Sequence, residues 1–205
     1  MQTIVVHGVS AYPVTTGKIV KTNWLMAELF KEKEMDGHEK FMSHALAEAR
    51  QALLNNEFPV GCVIVSEGKI IASGGRRNSA AEMNELDHAE IVALRNLQQS
   101  QPGLDLSGVT VYSTMEPCLM CYSTMIVNGV RSVVYAYEDV MGGGTNLPLK
   151  LLSPLYSSLE ISIVPKVMRF ESLRLFQQFF GSNNNDYLKD TLLAKYTLEQ
   201  PLVSV

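Results

Sequence analysis

The chain has 205 residues, of which 46% are hydrophobic and 19% are charged, and its formal net charge at pH 7 is −4. This composition is typical of a globular protein, and the length allows one domain with a substantial core. The acidic balance disfavours broad electrostatic binding to nucleic acid. No apolar run reaches the roughly 18 residues of a membrane span, and the first residues lack a signal-peptide pattern. Three cysteines are too few for a disulfide framework and suit a reducing cytoplasm, where thiols can bind metal.

Composition and periodicity divide the chain into three segments. Residues 1–37 are predicted to be an N-terminal extension that closes with the charged run Lys31-Glu32-Lys33-Glu34. Residues 38–180 alternate helical and strand patterns and are predicted to form the main domain. Residues 181–205 are predicted to be a tail with helical character, able to cap or reshape a pocket in the main domain.

Helices are predicted from the spacing of apolar residues, and strands from short apolar runs bounded by turn residues. In chain order the patterns predict a helix at 38–56, two strands within 59–75, a helix at 89–100, a strand at 108–115, a helix at 119–128, strands at 131–137 and 159–165, and helices at 169–180 and within 186–200. Strands that alternate with helices after an opening hairpin indicate an α/β fold with a mostly parallel sheet covered on both faces.

Two of the three cysteines are spaced as metal ligands. Cys118 and Cys121 lie one turn apart on one face of a predicted helix, at its start, where backbone N–H groups and the helix dipole favour thiolates. His88 is the obvious third ligand, and no further Cys or His lies near either motif. Three protein ligands leave the fourth position of a tetrahedral zinc site to water, as in catalytic sites. Cys62, in an apolar strand, is predicted to be a core residue.

Glu90 stands two residues after His88, which places the two side chains on different sides of a regular helix. Both can serve one site only if His88 stands at the very start of the helix and Glu90 in its first turn. Glu90 could then reach a zinc-activated water without binding the metal. A carboxylate in that position can act first as a general base and then as a general acid, which suits hydrolytic attack on an electrophilic carbon.

Simpler interpretations exist for these motifs. Cys118 and Cys121 alone could form a redox pair, but such a pair does not require a distant His-x-Glu. The run Gly142-Gly143-Gly144 lacks the accompanying residues of a phosphate-binding loop and is predicted to be a flexible loop near the site. Arg76 and Arg77 could contact a phosphate or a ribose, or simply lie on the surface.

The sequences His88-Ala89-Glu90-Ile91 and Glu116-Pro117-Cys118-Leu119-Met120-Cys121, with a weaker match at 58–65, resemble the cytidine deaminase superfamily. Zinc deaminases that act on cytosine or adenine carry the pattern H-x-E followed by P-C-x-x-C. Within the superfamily the chain is most similar to the branch of tRNA adenosine, guanine and small cytosine deaminases, over roughly residues 38–180.

The resemblance implies a three-layer α/β/α sandwich around a mixed, mostly parallel five-stranded sheet. It implies one Zn²⁺ per chain, bound by His88, Cys118 and Cys121, with Glu90 transferring protons while ammonia leaves the substrate. It also implies substrate contacts from Asn78, the nearest match to a family asparagine, and from the backbone around Ala89. Family members commonly assemble as dimers or tetramers, so a homodimer is expected. A catalytically inactive partner subunit is a further alternative, which the presence of Glu90 disfavours.

The substrate is less well defined by the sequence. After Cys121 stand Tyr122-Ser123-Thr124, where tRNA adenosine deaminases usually have small residues, and Met141 replaces a usual basic residue. From residue 166 onwards five Lys or Arg residues are balanced by four Asp or Glu residues, so the basic C-terminal helix of those enzymes is missing. The prediction is therefore a free nucleobase or nucleoside of the guanine, cytosine or adenine type, with tRNA adenosine as the alternative.

Overall fold

The computed structural model describes residues 37–79, 84–183 and 185–201, so nearly all of the predicted N-terminal extension lies outside the described residues. The elements in chain order are α1 Gly37–Leu54, β1 Gly61–Ser66, β2 Lys69–Gly75, α2 Ala89–Ser100, β3 Thr110–Met115, α3 Leu119–Val127, β4 Ser132–Tyr137, a 3₁₀ turn Leu149–Leu151, α4 Pro154–Ser157, β5 Ser162–Val164, α5 Arg169–Phe180 and α6 Leu192–Glu199. The predicted order of elements is confirmed, while the boundaries of the extension and the tail as separate segments stay a prediction.

The five strands form one mixed sheet in the order β2-β1-β3-β4-β5, which confirms the predicted α/β fold. Strand β1 is antiparallel to both β2 and β3, whereas β3, β4 and β5 are parallel to one another. Both antiparallel pairs involve β1, so the other four strands run in the same direction and the predicted mixed, mostly parallel sheet is confirmed. As a consequence, β2, β3 and β4 all end at the same edge of the sheet.

Helices cover both faces of this sheet, as predicted. Along β1 the side chains alternate: Cys62 and Ile64 belong to the core beneath α2 and α3, whereas Val63 and Val65 belong to the core beneath α1. The apolar periodicity of residues 38–56 predicts that Phe41, Ala45, Leu46, Ala49, Ala52 and Leu53 share one face of α1. The structure buries the four central residues together with Met42, whereas Phe41 and Leu53 at the margins are half-buried. In the described part of the chain, no helix is long and apolar enough to cross a bilayer.

Gly74 in β2 allows α2 to approach the sheet closely. A Cβ atom at this position would lie 2.6 Å from the backbone N of Ala93 and 2.7 Å from the carbonyl O of Ala89. Any side chain here would push the start of α2 away from the sheet. This contact therefore fixes the position of the helix end that carries His88.

Helix α6 packs against α5 and is hydrogen-bonded to the end of β4. Thr191 caps this helix by accepting a hydrogen bond from the Ala194 N–H, so the helix begins later than the predicted segment 186–200. The Tyr196 hydroxyl donates to Glu138 Oε1 over 2.7 Å, and the Tyr137 hydroxyl lies 3.1 Å from Thr197 Oγ1. These bonds hold α6 beside the end of β4.

Glu138 is the carboxylate that joins α6 to the rest of the domain. Its side chain is 17% exposed and accepts hydrogen bonds from the guanidinium of Arg169 as well as from Tyr196. Burial would raise the pKa of Glu138, but the bonds from Arg169 and Tyr196 bring it down to about 2, from a usual value of 4.5. A carboxylate with a lowered pKa in the folded state stabilises the fold above its unfolded pKa and loses that effect as the pH falls through the folded value.

We therefore expect Glu138→Gln to lower the free energy of unfolding at pH 7 by about 1.5–3 kcal/mol, the usual worth of hydrogen bonds to a charged group. The difference from the wild type should shrink as the pH falls from 4.5 towards 2. Urea unfolding at several pH values measures it, with Glu199→Gln, an exposed carboxylate on α6, as the control. A difference that does not vary with pH would contradict the assigned ion pair.

Candidate metal centre and active site

His88 stands at the N-cap of α2, with extended backbone angles of φ −61° and ψ 148° and no capping hydrogen bond from its side chain. The imidazole is therefore free to turn away from the helix. Glu90 lies in the first turn of the same helix and is 3% exposed. This is the local arrangement that the sequence requires if both residues are to serve one site.

Cys118 occupies the equivalent N-cap position of α3, and Cys121 lies in the first turn of that helix. Both sulfur atoms lie 3.5 Å from His88 Nδ1. The three potential ligand atoms all lie within 4.8 Å of one another, and among the described residues no other His, Cys, Asp or Glu joins the group. The structure thus brings together the three predicted metal ligands, although His88 lies 30 and 33 residues before the two cysteines in the sequence.

The spacing of these atoms fits zinc. Two ligands at Zn–N and Zn–S distances of about 2.1 and 2.3 Å in tetrahedral geometry would be separated by about 3.6 Å, close to the observed 3.5 Å. The other ring nitrogen, Nε2, lies 3.4 Å from Glu85 Oε2. A carboxylate at that position holds the Nε2 proton and leaves Nδ1 free to bind metal, which is the usual support of a histidine ligand.

The two cysteines form a negatively polarised pair even without a cation. The hydrogen bond with the Cys121 thiol lowers the pKa of Cys118 to about 4, against the opposing effect of burial, and the bond with His88 lowers it further. The same bond and burial raise the pKa of Cys121. One sulfur is therefore a thiolate at neutral pH, and a bound cation would displace the proton from the other.

The Glu90 carboxylate lies beside the three ligands. Its Oε1 accepts a hydrogen bond of 2.9 Å from the Ser113 hydroxyl, and its Oε2 lies 3.5 Å from Cys121 Sγ. Burial raises the pKa of Glu90 above its usual value. Ser113 was not predicted as a site residue. The signal available in the sequence was a hydroxyl residue within the apolar strand just before the cysteine motif, and the structure buries it fully.

A cavity of about 180 Å³ adjoins the cluster. The residues that line it come from the ends of β2, β3 and β4, from the start of α2 and from the C-terminal tail. They are Phe58, Val60, Arg76, Glu85, His88, Ala89, Glu90, Met115, Glu116, Cys118, Asp139, Met141, Tyr187, Leu188 and Leu193. The predicted tail contributes Tyr187, Leu188 and Leu193 to this lining.

The glycine-rich loop packs directly against the cysteine helix. The Gly144 N–H donates to the Pro117 carbonyl over 2.8 Å, and a Cβ at Gly144 would lie 2.7 Å from the backbone of Leu119. The buried Glu116 carboxylate fastens this loop by accepting hydrogen bonds from the Asp139 N–H and the Thr145 hydroxyl. The loop thus lies near the site, as predicted, but these hydrogen bonds hold it in place rather than leave it flexible. Glu116, which stands in the cysteine motif, and Asp139 have a role here that the sequence did not assign to them.

The two predicted substrate contacts have different positions. Ala89 lines the cavity. Asn78 has left-handed backbone angles with φ 58°, and its amide donates to Asp87 Oδ2 over 2.9 Å. Its side chain thus steadies the residue before His88, and Asn78 is not among the residues that line the cavity. The substrate role of Asn78 therefore stays a prediction, and the residue after β2 that does line the cavity is Arg76.

Comparison with known proteins agrees with this geometry. The family model for the cytidine and deoxycytidylate deaminase zinc-binding region matches residues 35–137. A tRNA-specific adenosine deaminase of Agrobacterium fabrum is 31% identical over 147 residues, which cover 71% of this chain and 95% of that protein. The matched family region includes all three candidate ligands and Glu90.

Solved structures are similar as well. One, from a study of A-to-I editing by tRNA:A34 deaminases at the wobble position, has a TM-score of 0.59 and 29% identity, covering 66% of this chain and 98% of that one. A guanine deaminase from Nitrosomonas europaea, with a TM-score of 0.58 and 24% identity, covers 69% of this chain and 83% of its own and shares the fold. The family match, the identity with curated relatives and the shared fold lead to one conclusion: the chain belongs to the cytidine deaminase superfamily of zinc-dependent deaminases, and it is an aminohydrolase.

Proposed function

We propose that each chain holds one Zn²⁺ through His88 Nδ1, Cys118 and Cys121 and removes an exocyclic amino group, as ammonia, from a free nucleobase or nucleoside. The observation that carries this proposal is the Glu90 carboxylate, which is buried against a three-ligand cluster at the wall of a small cavity. Among the described residues no fourth protein ligand closes the cluster.

The chemistry follows from the placement of these groups. When bound by three protein ligands, zinc lowers the pKa of a water molecule in its open position to about 7. Glu90 accepts a proton from the attacking water and delivers it to the departing amine, acting in turn as base and acid. Ser113 holds Glu90 Oε1, which fixes the direction of the carboxylate. Ala89, the first residue of α2, lines the cavity, and its backbone N–H has no partner within the helix.

The size and walls of the cavity support a small substrate. Its volume of about 180 Å³ is below the roughly 300–1,000 Å³ of sites for drug-sized ligands. Phe58, Met115 and Leu193 supply apolar surface for a flat ring, and the polar groups lie at the metal end. The tail narrows access to the cavity, and the net charge of −4 offers little attraction for a polynucleotide.

Adenosine in tRNA is the second candidate substrate, and the names of the similar proteins favour it. The Agrobacterium fabrum relative is a tRNA-specific adenosine deaminase. A basic groove built across two subunits could supply the phosphate contacts that one chain lacks.

We further propose that the chain forms a homodimer and works in the cytoplasm. Leu119 and Val127 on α3 are 55% and 65% exposed, and Leu151 and Leu155 are 83% and 72% exposed. Val127 and Leu152 line one surface pocket, so the two segments supply neighbouring apolar surface, which is typical of protein interfaces. The three unpaired cysteines fit a reducing compartment. Light scattering should give twice the chain mass of 22.7 kDa, and a strict monomer at micromolar concentration would contradict the dimer.

Replacing Glu90 by Ala should separate metal binding from turnover. Because Glu90 is not a ligand, we expect the variant to keep one zinc per chain by elemental analysis. Its rate of ammonia release should fall about 10²- to 10⁴-fold, the usual contribution of a general acid or base. Glu160→Ala, an exposed carboxylate, is the control. Full activity of Glu90→Ala would show that the assigned role of Glu90 is wrong.

Ser113→Ala should affect the chemical step rather than binding. Losing the 2.9 Å hydrogen bond to Glu90 removes a bond to a charged group, so kcat should fall about 10- to 100-fold while KM and zinc content stay unchanged. Steady-state kinetics on the best substrate measures this. A change in KM with kcat intact would mean that Ser113 does not position Glu90.

The substrate class can be chosen by measuring ammonia release from a panel of free bases, nucleosides and unmodified tRNA with the zinc-loaded chain. Activity on one or more small molecules supports the proposal. Activity on tRNA alone would replace it with the second candidate, and no release from any member by a chain that holds zinc would contradict deamination of this substrate class.

A further inference from the structure

Arg76 is the least expected member of the cavity wall. It follows β2 directly, and its backbone N–H donates to the Val60 carbonyl over 2.9 Å, which fixes the residue at the site edge of the sheet. Its side chain is only 2% exposed. It lines the cavity together with His88 and Glu90. The exposed neighbour Arg77 has no such position, so the two arginines that look equivalent in the sequence are distinct in the fold.

The guanidinium of Arg76 is only partly satisfied. Its Nη2 donates to Glu85 Oε2 over 3.0 Å and to the Tyr187 hydroxyl over 3.3 Å. Its Nε and Nη1 are buried and have no hydrogen-bond partner in the described structure. Buried donors are rarely left unpaired, and an unpaired donor on a charged group is especially unfavourable. Such a group beside a cavity indicates a ligand that supplies the missing acceptors.

We propose that Arg76 is a specificity-determining residue that donates hydrogen bonds to a ring carbonyl of the substrate. This inference rests on the proposed function and narrows its substrate class to amino-substituted heterocycles that also carry an oxo group. A guanidinium has donors but no acceptor, so its partner must be an acceptor. A charged donor bonds most strongly to an oxygen of high negative charge, and a site built around such a bond rejects ligands that lack it.

The surrounding charges favour a neutral carbonyl over an anionic group. Glu85, Glu90, Glu116 and Asp139 also line the cavity, and all are acidic. A phosphate or carboxylate would meet these groups as well as Arg76, whereas an uncharged oxo group would be free of that repulsion. Glu85 Oε2 accepts from Arg76 and from the Tyr187 hydroxyl and lies 3.4 Å from His88 Nε2. One carboxylate thus holds the guanidinium at the metal end of the cavity, where the reacting ring must lie.

Matched ligand pairs test this proposal. Cytosine and 4-aminopyrimidine differ by the 2-oxo group, and guanine and 2-aminopurine differ by the 6-oxo group. Binding is measured by calorimetry on the zinc-loaded Glu90→Ala chain, in which turnover does not consume the ligand. In at least one pair the oxo member should bind more tightly. Adding Arg76→Gln should weaken that member about 10- to 100-fold, the worth of a hydrogen bond from a charged donor, and leave the other unchanged.

Two further variants separate recognition from structural support. Arg77→Gln changes the exposed neighbour and should leave both members of each pair unchanged. Tyr187→Phe removes the tail hydroxyl that contacts Arg76 and Glu85, and it should change the affinity for the two members of a pair equally. If Arg76 only supports the tail, Arg76→Gln will behave as Tyr187→Phe does, and the proposal fails.

The proposal also fails if the Glu90→Ala chain with Arg76 intact does not distinguish the members of either pair. In that case, ammonia release by the wild type from another member of the substrate panel would leave the proposed deaminase function intact. If the wild type releases ammonia from no member of the panel, the proposed deaminase function itself fails. Failure of the Arg76 proposal can therefore be distinguished from failure of the proposed function.

Discussion

The site depends on the approach of two helix N-termini at one edge of the sheet, where His88 Nδ1 lies 3.5 Å from the sulfurs of both Cys118 and Cys121. Each helix begins with a potential ligand at its N-cap, in extended backbone that directs the side chain away from the helix. The positive ends of both helices therefore surround the thiolates and stabilise their charge. Without this convergence no metal site would lie beside the buried Glu90 carboxylate, and Glu90 could not act as a general base.

The rest of the fold maintains this approach. Strands β2, β3 and β4 end at the same edge, so Arg76, Glu116 and Asp139 arrive beside the cluster from three different strands. Gly74 lets α2 lie close to the sheet, and Gly144 lets the loop after β4 lie against the start of α3. The tail adds the outer wall through Tyr187, Leu188 and Leu193. Together these contacts fix the positions of the N-termini of α2 and α3, which carry the three candidate metal ligands.

Much of this arrangement was accessible from the sequence because its signals are local. The periodicity of α1, the apolar runs of β3 and β4, and the paired His-x-Glu and Cys-x-x-Cys motifs each depend on neighbouring residues. The strand order does not, because it depends on which distant segments pair, and β1 comes to lie between β2 and β3. The burial of Arg76 rather than Arg77 could not be foreseen, because it depends on which residue follows the last position of β2. The roles of Ser113 and Glu116 likewise arise from contacts between distant segments.

X-ray absorption at the zinc edge of the purified chain tests the central claim most directly. We expect one zinc per chain with two sulfur neighbours at about 2.3 Å and two lighter neighbours at about 2.0–2.1 Å, one from His88 and one from solvent. A chain that takes up no zinc, or a first shell without the two sulfurs, would contradict the assignment of the cluster as the catalytic metal centre.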